Sequence, residues 1–115
     1  NLVTNKVYVA NSGSSSVTVI DAAADTVIST ITVEGTPWAL VDNPTGNKVY
    51  CANGASNDVT VVALATRKRI AHIEVGANPR GIVLSPDGSR AWVNNVLVGT
   101  VSVIDTTRLA RIEMM

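Results

Sequence analysis

The sequence holds one cysteine, one histidine and no excess of either charge. A single thiol, Cys51, can build neither an intrachain disulfide framework nor a Cys-x-x-Cys metal or haem site. Nine basic and nine acidic residues cancel, and the one basic run, Arg67-Lys68-Arg69, is too short for the stripe a nucleic acid requires, so no nucleic-acid partner is expected. No apolar stretch approaches the roughly 20 residues of a membrane span, and no positively charged segment leads into a short apolar one. A soluble chain without a transmembrane span or readable leader is the expectation. The first residue is Asn1 rather than Met, which suggests a processed product, an excised fragment or missing upstream residues. Reaction motifs are missing as well: Gly-x-x-x-x-Gly-Lys, His-Glu-x-x-His, Gly-x-Ser-x-Gly and Cys-x-x-Cys-His are all absent. The sequence therefore offers no catalytic residue, no cofactor site and no metal ligand set.

What it does hold is a repeat. Asn5-Lys6-Val7-Tyr8 returns as Asn47-Lys48-Val49-Tyr50 and, more loosely, as Ser89-Arg90-Ala91-Trp92, at a constant spacing of 42 residues. Residues 5–46 and 47–88 share 18 identities without a gap, and 89–115 continue the register. With 46% apolar residues in 115, the chain can bury a core. We read it as one segment, 1–115, made of repeats 5–46, 47–88 and 89–115.

Within a repeat the runs are short, rich in Val, Ile and Thr, and separated by turn residues, which predicts strands. In the second unit four are expected, roughly Lys48 to Ala52, Val59 to Ala63, Ile70 to Val75 and Arg80 to Leu84. Ser85-Pro86-Asp87-Gly88, matching Asn43-Pro44-Thr45-Gly46, predicts a tight hairpin turn. Val17 to Ile20 and Val101 to Ile104 are nearly apolar on both faces, as in sheets covered on both sides. Ala71, Ile73 and Val75 alternate with His72 and Glu74, which suits an outer edge strand. Four strands in a period of this length predict an all-β protein of β-propeller blades, each a sheet of four antiparallel strands covered by its radial neighbours. A solenoid is the competitor, but parallel β-helix repeats are shorter and helical repeats would show a 3.6-residue period.

Tyr8-Val9-Ala10-Asn11 and Tyr50-Cys51-Ala52-Asn53, each followed by Val-Thr-Val at Val17 to Val19 and Val59 to Val61, resemble the YVTN family of propeller repeats. Ala stands for Thr in the third letter, and the last unit reads Trp92-Val93-Asn94-Asn95. The resemblance implies a propeller, commonly of seven blades, in proteins often secreted or at the surface of bacteria and archaea, hence extracellular, cell-surface or periplasmic. It implies too that the inner strand of a blade comes first, so that the first blade lacks its inner strand and eleven strands are expected rather than twelve. Three blades cannot close a ring. The open blade faces then require missing blades or self-association to cover them.

Most polar residues read as architecture. His72, the lone histidine, falls on the wetter face of an outer strand and Cys51 at a core position, where an inert thiol is the natural reading. Asp21 and Asp105 end the second strand of their units and cap turns. Arg67-Lys68-Arg69 puts charge at the entry to an edge strand, and Asn11, Asn53 and Asn95 close the loops that follow them.

Variation concentrates at one end, where the outer strand joins the next inner strand and the second strand joins the third: 35–38, 76–80, 12–15, 54–57 and 96–99. Trp38 and Arg80 hold equivalent positions and belong to types concentrated at binding hot spots, so they are the first candidates for partner contact. The competing reading packs Trp38 between blades and leaves Arg80 solvated. Val96, Leu97 and Val98 are apolar where the sister loops are Ser12-Gly13-Ser14 and Gly54-Ala55-Ser56, which adds a second candidate contact. The function expected is a non-catalytic scaffold that binds a protein or cell-surface ligand. The alternatives are a part of a larger propeller enzyme, lactonase-like or quinoprotein-like, and a surface-layer repeat protein.

Overall fold

Short β-branched runs cannot bury two apolar faces alone, and here they do so by stacking sheet on sheet. The computed structural model describes residues 5–43 and 47–115. A three-stranded sheet holds β1 (Lys6–Asn11), β2 (Ser16–Asp21) and β3 (Thr26–Thr32) in that order. The second sheet runs β4 (Pro37–Asn43), β5 (Lys48–Asn53), β6 (Asp58–Ala63) and β7 (Lys68–Glu74). The third runs β8 (Pro79–Leu84), β9 (Arg90–Asn95), β10 (Thr100–Asp105) and β11 (Ala110–Met114). Every neighbouring pair is antiparallel, and the described residues contain no helix and thus none able to cross a membrane. Among the described residues the first sheet carries only the second, third and outer strands of a blade, as the repeat register predicts.

The repeat extends to the backbone. Ser15, Asn57 and Gly99 share the left-handed region, as do Thr36 and Asn78, and as do Asp25, Arg67 and Leu109, with φ from 50° to 65°. Asn and Asp enter that region readily, whereas Leu109 and Arg67 do so at a cost that the closed hairpin must offset. The edge strand of the second blade begins earlier than the alternation of Ala71, Ile73 and Val75 predicts. Lys68 and Arg69 pair with Ala63 and Val62 inside β7, because a bulge between Val61 and Val62 resets the register, and Val75 falls just beyond the strand. Of the two hairpin turns, Ser85 to Gly88 forms as expected: the Gly88 amide donates to the Ser85 carbonyl at 2.9 Å and Gly88 takes φ 75°. Residues 44–46 of its sister turn lie outside the described residues.

Alternation along β5 assigns the two cores. Val49 and Cys51 point toward the first sheet, packing with Val17, Val19, Ile31, Val33 and Val62, with Tyr8 and Leu40 at the margin. Tyr50 and Ala52 point the other way, into a larger cluster with Val59, Val61, Ile73, Ile82, Val93 and Ile104. Fully burying one such aliphatic side chain contributes about 1.5–3 kcal/mol, so these two layers hold the sheets together.

The end sheets repeat the pattern without a neighbour. Val7 and Val9, equivalents of buried Val49 and Cys51, are exposed, and Val83 is 60% exposed on the far side. There an apolar trough of about 380 Å³ is lined by Gly81, Ile82, Val83, Trp92, Asn94 and Val101. The sheets form an open, incomplete propeller.

Candidate functional site

Antiparallel alternation sends the outer-to-inner connections and the second-to-third hairpins to the same end of the stack. There the backbone stitches them together. The Val33 amide donates to the Ser15 carbonyl at 2.9 Å, Gly54 to Thr36 at 2.9 Å, Val75 to Asn57 at 3.1 Å and Val96 to Asn78 at 3.1 Å. Side chains add to this: Asn57 Oδ1 accepts from the Asn78 amide at 2.9 Å. The loops singled out by sequence variation thus form one surface.

Trp38 and Arg80 sit on it, and their backbone placement is unusual. Pro37 pairs with Asn53 and Ala39 with Ala52, which leaves Trp38 as the extra residue of a bulge; Arg80 is the extra residue between Pro79 and Gly81 in the next blade. A bulge bends its strand and re-aims the side chain at that point. Both side chains are thereby turned onto the end face, where Trp38 is 45% exposed. They meet there, with the Arg80 guanidinium carbon 4.3 Å from the Trp38 ring centroid, a cation–π contact between consecutive blades. Beneath them Gly54 supplies the room: a Cβ at that position would lie 2.4 Å from Trp38 Cδ1 and Nε1. Arg80 Nε also donates to Asn78 Oδ1 at 3.4 Å. Trp38 thus makes its ring contact with a residue of the next blade while staying 45% exposed, and Arg80, itself exposed, stands over it.

Val96, Leu97 and Val98 occupy the neighbouring hairpin on the same surface. All three are exposed, Leu97 to 73%, although the Leu97 amide is fixed to the Ala77 carbonyl at 3.3 Å.

A polar ladder supports the hairpins. Asn53 Nδ2 donates to Asp58 Oδ1 at 2.9 Å and to Thr60 Oγ1 at 2.7 Å, fully buried. Asn11 does the same to Ser16 and Thr18, and Asn95 to Thr100 and Ser102. Each amide ties the strand before a hairpin to the strand after it, as the recurrence of Asn at these positions predicts.

The remaining candidates are architectural. Cys51 is wholly buried, and burial together with the nearby Asp58 charge pushes its thiol up to about 12. Asp21 and Asp105 accept from amides two and three residues on, at 3.0 and 3.4 Å and at 2.9 and 3.1 Å. The amide and hydroxyl of Ser89 and the hydroxyl of Ser85 hold Asp87 down to about 2 in the hairpin turn. At the opposite end, clefts of about 220 and 300 Å³ open between consecutive blades around Tyr8 and Tyr50. The Tyr50 hydroxyl is buried without a hydrogen bond of ordinary geometry, and desolvation raises its pKa although Asn43 and Thr106 beside it act the other way.

Two arrangements escaped sequence reasoning. The bulges were signalled only by the prolines before them, Pro37 and Pro79, which mark irregular strand starts. The second is a polar cluster across blades: Arg69 Nη1 forms an ion pair with Glu34 Oε1 at 2.7 Å, and His72 Nδ1 lies 3.6 Å from Glu34 and 3.9 Å from Asp58. The 35-residue separation of Arg69 from Glu34 left no local signal. His72 is exposed, as its strand position predicts, and no group of three His, Cys, Asp or Glu among the described residues is placed to hold a metal.

No protein-family model and no curated protein matches the chain. Solved structures do. Hydrazine synthase of Kuenenia stuttgartiensis superposes with a TM-score of 0.92 at 32% identity over 96% of this chain. Dihydro-heme d1 dehydrogenase NirN, in complex with DHE, superposes at 0.85 and 26% identity over 97%. The chain spans 32% of the first protein and 24% of the second. What it shares with both is a run of β-propeller blades.

Proposed function

We propose that the chain is a YVTN-type propeller segment that acts as a non-catalytic scaffold and binds a protein or cell-surface partner through the end face carrying Trp38 and Arg80. The observation that supports this is the pair itself: two bulges at equivalent positions turn an aromatic ring and a guanidinium onto one surface, stacked at 4.3 Å. Such side chains dominate binding energy where they occur at interfaces. An extracellular, cell-surface or periplasmic setting accompanies the YVTN reading. The exposed faces around Val7 and Val83 are to be covered by further blades or by other copies of the chain. The test is recovery of partners by immobilised chain. A partner held by the natural chain and lost from the Trp38→Ala, Arg80→Ala double variant supports the assignment; unchanged recovery of every partner overturns it.

A second reading makes these blades part of a larger propeller enzyme. It is favoured by the names of the two structural neighbours, both enzymes of which this chain spans a third or less. The internal repeats weigh against transferring activity, because they share 18 of 42 residues with each other, a larger fraction than the chain shares with either neighbour. The likeness therefore follows the repeat. Carboxylates or histidines gathered near the axis in further blades would decide for the enzyme.

A further inference from the structure

Arg80 differs from the other paired cations of the surface in what it is paired with. Arg69 has Glu34 at 2.7 Å, whereas Arg80 meets an amide oxygen and an indole, and among the described residues it has no carboxylate within ion-pair distance. Two contacts with its neighbours define its position. Nε donates to Asn78 Oδ1, the Asn78 amide in its left-handed conformation donates to Asn57 Oδ1, and the guanidinium carbon stands over the Trp38 ring at 4.3 Å. Trp38 in turn occupies the space that a side chain at residue 54 would fill. With Nε and one face engaged, neither terminal nitrogen has a hydrogen-bond partner among the described residues, and a guanidinium offers such a pair as a fork. That geometry matches a carboxylate held through two parallel hydrogen bonds.

An apolar surface adjoins it. The hairpin of Val96, Leu97 and Val98 is tied to Asn78 and Ala77 by two backbone hydrogen bonds, so it stands next to the loop that leads into Arg80. Its three side chains remain exposed.

We infer that the Trp38, Arg80 and Val96 to Val98 surface recognises an acidic peptide segment of a partner protein, an Asp or Glu carboxylate docking on the Arg80 guanidinium and a neighbouring aliphatic side chain on the Val96 hairpin. The inference rests on the end-face reading above and adds the chemistry of the ligand. Preorganisation of the guanidinium lowers the entropy lost on binding, and charge complementarity sets which partners are admitted.

The probe is a panel of labelled hexapeptides that place Asp or Glu beside Leu or Val, each matched by its Asn or Gln counterpart, titrated into the full chain by fluorescence polarisation. Acidic peptides are expected to bind at least about tenfold more tightly than their neutral partners. Arg80→Gln should abolish that difference, Arg80→Lys should restore part of it, and Leu97→Ser should weaken both members of each pair. Raising salt should narrow the gap. Equal binding of acidic and neutral peptides, or a preference that survives Arg80→Gln, overturns the inference. Binding that ignores peptide charge but disappears in Gly54→Val, where the indole is displaced, overturns the carboxylate assignment and leaves the end-face reading standing. If neither peptide set binds, the acidic-segment inference falls, and recovery of partners by the double variant then judges the end face separately.

Discussion

The Cys51 thiol donates to Asn53 Oδ1 across 3.6 Å, and the equivalent pair one blade on cannot do so, because Val93 stands in place of the thiol and Asn95 Oδ1 is buried without a partner. The two positions therefore invite reciprocal substitution. Val93→Cys should stabilise the chain, and Cys51→Val should destabilise it, each by on the order of 1 kcal/mol, since an unmet buried acceptor costs that much or more. Urea unfolding of the two variants beside the natural chain checks both signs.

Burial gives the same thiol a pH signature. Its folded pKa is pushed from 9.0 up to about 12, so the native state keeps a proton that the unfolded chain releases. Below about pH 9 both states hold the proton and stability is unaffected by this group. Above that the unfolded state ionises first, and stability falls as the pH climbs toward 12. Unfolding midpoints should thus decline on the alkaline side in the natural chain and less steeply in Cys51→Ala. A thiol-specific reagent at neutral pH should label Cys51 only at the rate at which the blade opens.

Gly54 makes the Trp38 and Arg80 pair possible. A double-mutant cycle with Trp38→Leu and Arg80→Met should give a coupling of about 0.5–1 kcal/mol, the range of exposed cation–π contacts. Repeated in a Gly54→Ala background, the coupling should disappear, because the added methyl meets the indole at 2.4 Å and the ring must swing away. A coupling that persists would show that the ring can rest on Arg80 without the room at position 54.

The faces around Val7 and Val83 are built like those that bury Val49 and Tyr50. Light scattering of the chain at micromolar concentration should therefore report masses above that of one copy. Val83→Lys, which places a charge in the apolar trough, should shift the distribution toward the single chain. A monodisperse single chain in the natural sequence would show that these faces can stay uncovered.

The spacing of 42 residues makes the strand order, the three-stranded make-up of the first sheet among the described residues and the gathering of loops at one end legible in the sequence. These follow from alternation and connection, which a repeat encodes directly. Register details were hidden: the bulge between Val61 and Val62 moved Lys68 and Arg69 into β7, and nothing in their polarity announces pairing with an apolar strand. The meeting of Trp38 with Arg80 was hidden for another reason. Residues 42 apart occupy the same place in consecutive blades, but contact between them depends on a bulge in each and on a missing side chain at Gly54. The left-handed positions at Arg67 and Leu109 were illegible too, because only the closed hairpin, not the residue type, holds them there.

The offset between sequence repeat and sheet has a mechanical side. Repeat 47–88 supplies β5, β6 and β7 to one sheet and β8 to the next, where β8 pairs with β9. Repeats 5–46 and 47–88 are each riveted into two sheets in this way, and removing either would strip a strand from the sheet that follows. Chain tension applied along the stack would have to shear a β8–β9 ladder and a buried apolar layer together, so adjacent blades should yield as a joined unit and not one at a time.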